Sequence, residues 1–529
     1  MHSKHVVFSV FLSFMFLNCA IPEEQKNDIE SACIKVNEDR FVDKHGREVI
    51  FNGLNVVNKN PDDQFIPTLE NIDLDRFEKW GVNLVRLGIN WSALEPEPFT
   101  YDEQYLQRVQ DIVDIFGKHG IYVILDMHQD LYGQKFDNGA PLWATLDEGQ
   151  PHVTGDIWSD AYLLSPAVQT AFDNFWKNME VPGGTGLQNH YAAAWAEVAS
   201  WFAGHPAIIG YDLMNEPFIG TEAVTIFATL LKNFAAIYSE KTETAYAESE
   251  IIEIWGDVRS RMEALQYFDD VEAYARLLAD ATPIHQAFER EKLQPFYQLT
   301  ANAIREKDPY SILFLEHGYF SNIGITTGIN CVETPEGNPD KQCVYAPHAY
   351  DLVTDTEMSA EPGFNRLTFI YEKLAVFRET ENIPVLIGEW GAYYGGQNEA
   401  IVPAAKFSIQ TIDENRFSHT YWSYFEGLQS QPYFKQALLR PVVQAVSGRL
   451  KSSGMINPDT FKVRWEENPK VNAPTRIFLP GSFDIEEIIF TTSKSLNYQI
   501  EPTIYGSYIY IEPAGGAKIH EIHISSERQ

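Results

Sequence analysis

The chain has 529 residues, 44% hydrophobic and 13% aromatic, which is enough for a large enzyme core plus a smaller domain and excludes a disordered protein. A formal net charge of −34 excludes nucleic acid as a partner, because phosphates need a basic surface. The same charge argues against electrostatic adhesion to anionic membranes.

The N-terminus reads as an export signal over residues 1–20. After Lys4 and His5, residues 6–17 form an apolar run too short to span a bilayer. Cleavage near Ala20 would give a secreted protein, which is the expectation. The alternative is a lipid-anchored surface protein, since Phe16-Leu17-Asn18-Cys19 resembles a loose bacterial lipobox. No later stretch is long and apolar enough for a transmembrane helix. Of the four cysteines, Cys331 and Cys343 flank a loop rich in Pro, Gly and Asn, a good place for a disulfide. Cys33 would then be left alone after processing. With no C-x-x-C pair and no His/Cys cluster, a structural zinc site is not expected; no metal or cofactor enters the expected chemistry.

A strand-then-helix rhythm follows. Residues 49–56 read as a first strand, and 82–89 as a second after a helical stretch at 74–80. The helix predicted over 102–119 lines up Leu106, Val109, Ile112, Val113 and Phe116 on one face and stops at Gly120. Residues 121–127 give a third strand. The fourth, 207–214, is an apolar run ending on Asn215-Glu216 and stopped by Pro217. Residues 311–316, 343–347, 384–388 and 419–424 complete eight. Eight strands separated by helices predict an α/β protein with a (β/α)8 TIM barrel over 33–445. A doubly wound open sheet is the alternative, but no Gly-rich phosphate loop follows the first strand.

Between the fourth and fifth strands lies far more chain than one barrel helix needs. A helical insertion near 221–300 carries Val224, Phe227, Leu231, Phe234 and Tyr238 at helical spacing. It either packs against the barrel rim or forms an apolar lid. Trp143 and Trp158, after the third strand, either line that entry or simply pack. Past residue 446 short alternating segments at 476–479, 487–490, 507–511 and 519–525 predict a C-terminal β-sandwich over 446–529. Its role is either packing or holding lipid aggregates.

The predicted strand ends are chemically rich: Arg86; His128 and Asp130; Asn215 and Glu216; His348 and Tyr350; Glu389; Trp422. Glu316 and His317 end the fifth strand, to serve either a ligand or the scaffold. Barrel active sites are assembled from several such ends, and two strand-end glutamates are the paired carboxylates of glycoside hydrolysis.

This set, from about Phe51 to Trp422, resembles glycoside hydrolase family 5, in which both catalytic glutamates follow strands four and seven. Within that family, residues 125–130 (L-D-M-H-Q-D), Leu439-Arg440-Pro441 and Lys59 are similar to the endoglycoceramidases. The resemblance implies cleavage of the β-glucosyl bond to ceramide, releasing intact oligosaccharide from a glycosphingolipid. Glu389 would be the nucleophile, kept ionised by Tyr350 and Arg86, and Glu216 the mostly protonated acid/base. Asn215 would hold the sugar 2-hydroxyl, while Lys59, His128, Asp130 and Trp422 grip the first sugar and His348 completes the binding set. Implied partners are the glycosphingolipid and transient contact with a membrane or micelle surface. A monomer is expected. Two other readings stay open: another family 5 enzyme (a β-glucanase, β-mannanase or simple glycolipid glucosidase), and a non-catalytic glycan-binding barrel.

Overall fold

The computed structural model describes residues 33–68, 74–356, 358–393, 399–492 and 496–526. The export segment expected at 1–20, with Cys19, lies outside the described residues.

Eight parallel strands form the barrel: β1 (Asn52–Val56), β2 (Leu84–Ile89), β3 (Tyr122–Met127), β4 (Ile208–Asp212), β5 (Ile312–Leu315), β6 (Cys343–Tyr345), β7 (Leu386–Ile387) and β8 (Ser418–Tyr421). Hydrogen bonding runs from β6 through β5, β4, β3, β2, β1 and β8 to β7. The remaining gap is closed by a parallel bridge between Tyr345 and Val385. Above it, His348–Ala349 pairs in parallel with Glu389–Trp390, so that His348 stands opposite Glu389. Strands covered on both faces need continuous apolar runs, and every residue of β2 is buried, Arg86 included. That one cation inside an apolar wall marks where the chemistry sits.

The predicted helix is present at Glu103–Lys118. Asp102 caps it by accepting from the Gln104 and Tyr105 N–H groups, and the five predicted apolar residues are buried. The insertion contributes helices Ala223–Thr242, Glu248–Gly256, Val258–Leu265 and Val271–Ala279. It ends earlier than expected, because Gln294–Arg305 packs on Leu187–Phe202 in the barrel's own helical layer. Cys331 and Cys343 form the expected disulfide, with Cα atoms 5.8 Å apart. Cys33, expected to be left alone, is disulfide-bonded as well.

The C-terminal part consists of two antiparallel sheets, of seven and four strands. Between them pack Val446, Leu450, Phe461, Val463, Trp465, Ile477, Leu479, Ile509 and Ile522. The boundary differs from the expected one at both ends. Ile34–Asn37, Arg40–Asp43 and Glu48–Val49 belong to the seven-stranded sheet, joined through Val442–Val446. What reads as one strand over 49–56 is therefore split, Val49 serving the sandwich and Asn52–Val56 the barrel. The N-terminal hairpin also closes the barrel's floor: Ile34, Phe41 and Val49 pack on Phe51, Leu84, Ile124, Ile209 and Ile312. Leu439-Arg440-Pro441 lies at this junction, where Arg440 donates to both oxygens of Asp413 and to Asn52 Oδ1. It is remote from the strand ends that carry the chemistry.

Candidate active site

Arg86 is the hub of the carboxyl end of the barrel. Its Nε donates to Asp212 at 2.8 Å, Nη1 to Asn55 at 3.0 Å and Glu389 at 2.9 Å, and Nη2 to Asn215 at 3.0 Å and Glu316 at 2.8 Å. Asp126 Oδ1 lies 2.9 Å from Nη2. A fully buried guanidinium is tolerable only when its donors are all engaged. Four carboxylates around it hold its pKa well above the ordinary range despite burial. Burial, with Glu316 adding, pushes Asp212 well above the usual carboxylate range.

Glu389 is gripped from two sides. Oε1 accepts from Arg86, Oε2 accepts from the Tyr350 hydroxyl at 2.9 Å, and His348 Nδ1 lies 3.5 Å from Oε2. The contacts are those expected, but they do not win outright. Burial pushes Glu389 up to about 7, against the pull of His348 and Arg86.

Glu216 sits just beyond β4, in the left-handed region at φ 45. The turn is fixed by Gln129, whose Nε2 donates to the Asn215 and Glu216 carbonyls at 2.8 and 3.1 Å. The Glu216 N–H donates to Glu316 Oε2 at 2.8 Å. Oε1 of Glu216 accepts from Asn322 Nδ2 at 2.7 Å and faces His348 Nδ1 at 2.9 Å. Burial alone would lower His348, but Glu316, Glu389 and Glu216 outweigh it and hold it well above the ordinary range. One oxygen of Glu216, one of Glu389 and a His348 ring nitrogen lie within 4.8 Å of one another. The two glutamates therefore face each other across His348.

The expected grip residues gather beside this pair. Lys59 Nζ is 2.6 Å from Asp130 and lies over the Trp422 ring at 4.8 Å and the Trp158 ring at 5.3 Å. Burial would lower Lys59, but Asp130 keeps it raised. His128 stacks on Trp422, with centroids 5.3 Å apart at 12°, and its Nδ1 meets Asp126 at 2.8 Å. Asp126 and Asp130 overcome burial to raise it to about 9. All ten predicted site residues are thus brought to one end of the barrel.

Several functional residues escaped sequence reasoning. Asp126 and Asp212 point inward from strand interiors, where alternation alone does not separate them from core positions. Asn322 lies in a short 3-10 turn past β5, and no strand-end rule reaches it. Glu316 and His317 prove to be scaffold: Glu316 joins Arg86 to the Glu216 backbone, and His317 faces Tyr345 and Asn322. Trp143 packs away from the site against Trp91 and His190. Trp158 lines the site and donates to Asp355 at 3.1 Å.

The site opens into a cavity of about 290 Å³. Its lining includes Lys59, His128, Asp130, Asn215, Tyr350 and Trp422 together with both glutamates. The insertion adds apolar lining, Phe227, Leu230, Leu231, Trp255, Leu277 and Leu278, joined by Leu163, Phe320 and Leu352, while Asp351, Thr354, Asp355 and Thr356 keep part of the wall polar. The insertion is thus a wall of the site as well as rim packing.

Residues 42–426 match the sequence family described as Cellulase (glycosyl hydrolase family 5). The chain belongs to glycosyl hydrolase family 5. Within this family it is similar to an endoglycoceramidase of Cyanea nozakii, 34% identical over 227 residues, 37% of this chain and 44% of that one. Endoglycoceramidase I of Rhodococcus hoagii is 29% identical over 233 residues, 42% of this chain and 45% of that one. The matches span under half the length of these curated relatives. Among solved structures, endo-glycoceramidase II from Rhodococcus sp. superposes with a TM-score of 0.69 at 25% identity, covering 92% of this chain and 99% of that one. Another structure of that enzyme is a complex with ganglioside GM3.

Proposed function

We propose that this family 5 protein is a retaining endoglycosidase that cuts the β-glycosidic bond between glycan and ceramide, releasing the oligosaccharide intact. The observation that carries this reading is the mixed lining of the cavity. The same cavity that holds the glutamate pair and the sugar-gripping groups is also lined by a set of apolar side chains from the insertion. The gripping groups suit a sugar's polar edges and flat face, and the apolar side chains suit alkyl chains, which gain by leaving water. A polysaccharide hydrolase would need sugar-binding surface on both sides of its glutamate pair. The endoglycoceramidase relatives support the same reading.

The chemistry follows from the carboxylate spacing. Nearest oxygens within 4.8 Å match the short carboxyl spacing of retaining enzymes, about 5–5.5 Å, rather than the gap of about 6.5–9.5 Å that inverting enzymes keep for a water and the sugar. Glu389 attacks the anomeric carbon as ceramide leaves, forming a glycosyl-enzyme ester. Glu216 gives its proton to the departing oxygen, then takes one from water as that water cleaves the ester. Arg86 and Tyr350 aim Glu389, and Asn215, itself held by Arg86 and the Gln129 carbonyl, meets the 2-hydroxyl. Lys59, His128, Asp130 and Trp422 fix the first sugar.

The test is a digest of lactosylceramide in mild detergent, read by mass spectrometry. Lactose together with free ceramide is the expected result; hexoses released one at a time, or cleavage of soluble glucan alone, would refute the reading. Export through residues 1–20 would bring the enzyme to extracellular glycolipid, and contact with a micelle or membrane would deliver it. Finding the protein in the cytoplasmic fraction would overturn that part.

The pH profile is a second expected outcome. Glu389 must be ionised to attack, and burial holds it at about 7. On a soluble aryl lactoside kcat/KM should therefore rise with pH up to about 7, falling roughly tenfold per unit below it. Tyr350→Phe removes a donor to the ionised form, so its acid limb should move upward. A profile flat from pH 5 to 7 would contradict this.

A further inference from the structure

Two donors converge on a single oxygen of Glu216. Asn322 Nδ2 and His348 Nδ1 both face Oε1, while no hydrogen-bond partner of Oε2 lies among the described residues. We propose that Asn322 is a positioning residue that reserves Oε2 for proton transfer, by engaging Oε1 and fixing the rotation of the carboxyl group. This rests on reading Glu216 as the acid/base. The proton on Oε2 passes to the glycosidic oxygen as its bond to the anomeric carbon breaks, leaving the carboxylate still hydrogen-bonded through Oε1. In the second half the same oxygen takes a proton from water.

Asn322 is built to hold that geometry. Its Oδ1 faces His317 Nε2 at 2.9 Å, and His317 Nδ1 meets the Tyr345 hydroxyl at 2.7 Å. The amide thus lies with Nδ2 toward Glu216 and Oδ1 toward His317. The Asn322 carbonyl accepts from the Tyr350 N–H at 3.1 Å, so one residue ties the acid/base to the tyrosine that aims the nucleophile. The turn carrying Asn322 is fastened from behind by Glu289, which a π-helical turn at Glu289–Leu293 presents inward. Glu289 accepts from the Gly318 N–H at 2.9 Å and the Thr327 hydroxyl at 2.9 Å, and also takes the Gly328 N–H. Burial would raise this carboxyl, but His285 and those N–H groups hold it low. It is thus a stable anionic clamp. π-turns are often found at functional sites.

The test compares Asn322→Ala and Asn322→Asp with the unaltered enzyme on two lactosides, one with an alkyl and one with a dinitrophenyl leaving group. The alkoxide needs Glu216's proton to leave; the dinitrophenolate does not. With the alkyl substrate kcat/KM should fall about 10- to 100-fold, against less than about threefold with the aryl one. The other groups facing Glu216 are unchanged in either variant: His348, Glu316 and Glu389, and Asp355, Tyr319 and Tyr162. Equal losses on both substrates would overturn the proposal, as would no loss at all. A Glu216→Gln control keeps the two readings apart. If it too shows no dependence on leaving group, the assignment of Glu216 has failed; if it does and the Asn322 variants do not, only the present inference has.

Discussion

In a Glu389→Gln variant, release of lactose from lactosylceramide should fall by about 10⁴-fold or more, about 5.5 kcal/mol of transition-state stabilisation. The side chain is isosteric but has no anionic oxygen to form the ester. Folding should survive, because Arg86 keeps Asp126, Asp212 and Glu316 within 2.9 Å, and its Nη1 keeps Asn55. Removing Glu389 takes one negative charge from a cluster already crowded with them. The loss should therefore be chemical rather than structural, visible as an unchanged melting temperature beside a collapsed kcat. In Glu389→Gly the space left by the side chain admits azide. Azide should then restore turnover of a dinitrophenyl lactoside and give the α-configured azide, a single displacement inverting the centre. Activity above about 1% of the unaltered enzyme in Glu389→Gln would place the nucleophile elsewhere.

What could be read from the sequence and what could not follow one physical line. The barrel was legible because strands buried on both faces must be continuous apolar runs, and a carboxylate or amide ending such a run stands out, as Glu216 and Glu389 do. Lys59, Arg86, His128, Asp130, His348, Tyr350 and Trp422 were found by resemblance and by their strand-end positions together. Asp126 and Asp212 were not found, since an acid inside a strand is intelligible only once the buried Arg86 beside it is seen. Asn322 and Glu289 act across 106 and 39 residues respectively, on Glu216 and on the Gly328 N–H, and no local pattern encodes such pairings. The push of burial on Glu389 was not legible for a related reason. The sequence names its partners Arg86 and Tyr350, but the burial that lifts it to about 7 comes from the whole barrel. The N-terminal hairpin was missed likewise, because strands carry no label for the sheet they join: Glu48 and Val49 pair with Val446 and Ala445, nearly 400 residues on.

Glu216→Gln should separate the two halves of the reaction. Glutamine keeps a carbonyl oxygen to accept from Asn322 and His348, so the site geometry is retained while the transferable proton is lost. On lactosylceramide, whose alkoxide is a poor leaving group, kcat/KM should drop about 10²- to 10⁴-fold, the range for deleting a general acid. On a dinitrophenyl lactoside the first step needs no proton and should run at close to its normal rate. Hydrolysis of the glycosyl-enzyme, lacking its base, should then become rate-limiting, giving a burst of phenolate followed by slow turnover. Azide needs no base to attack, so it should speed that slow phase. Its product should be the β-azide, because Glu389 still performs the first inversion and azide the second. The opposite configurations from the two glutamate variants are a stringent check. Each follows from which face of the sugar its missing carboxylate occupied, and a shared configuration would mean that the roles of Glu216 and Glu389 are wrongly divided.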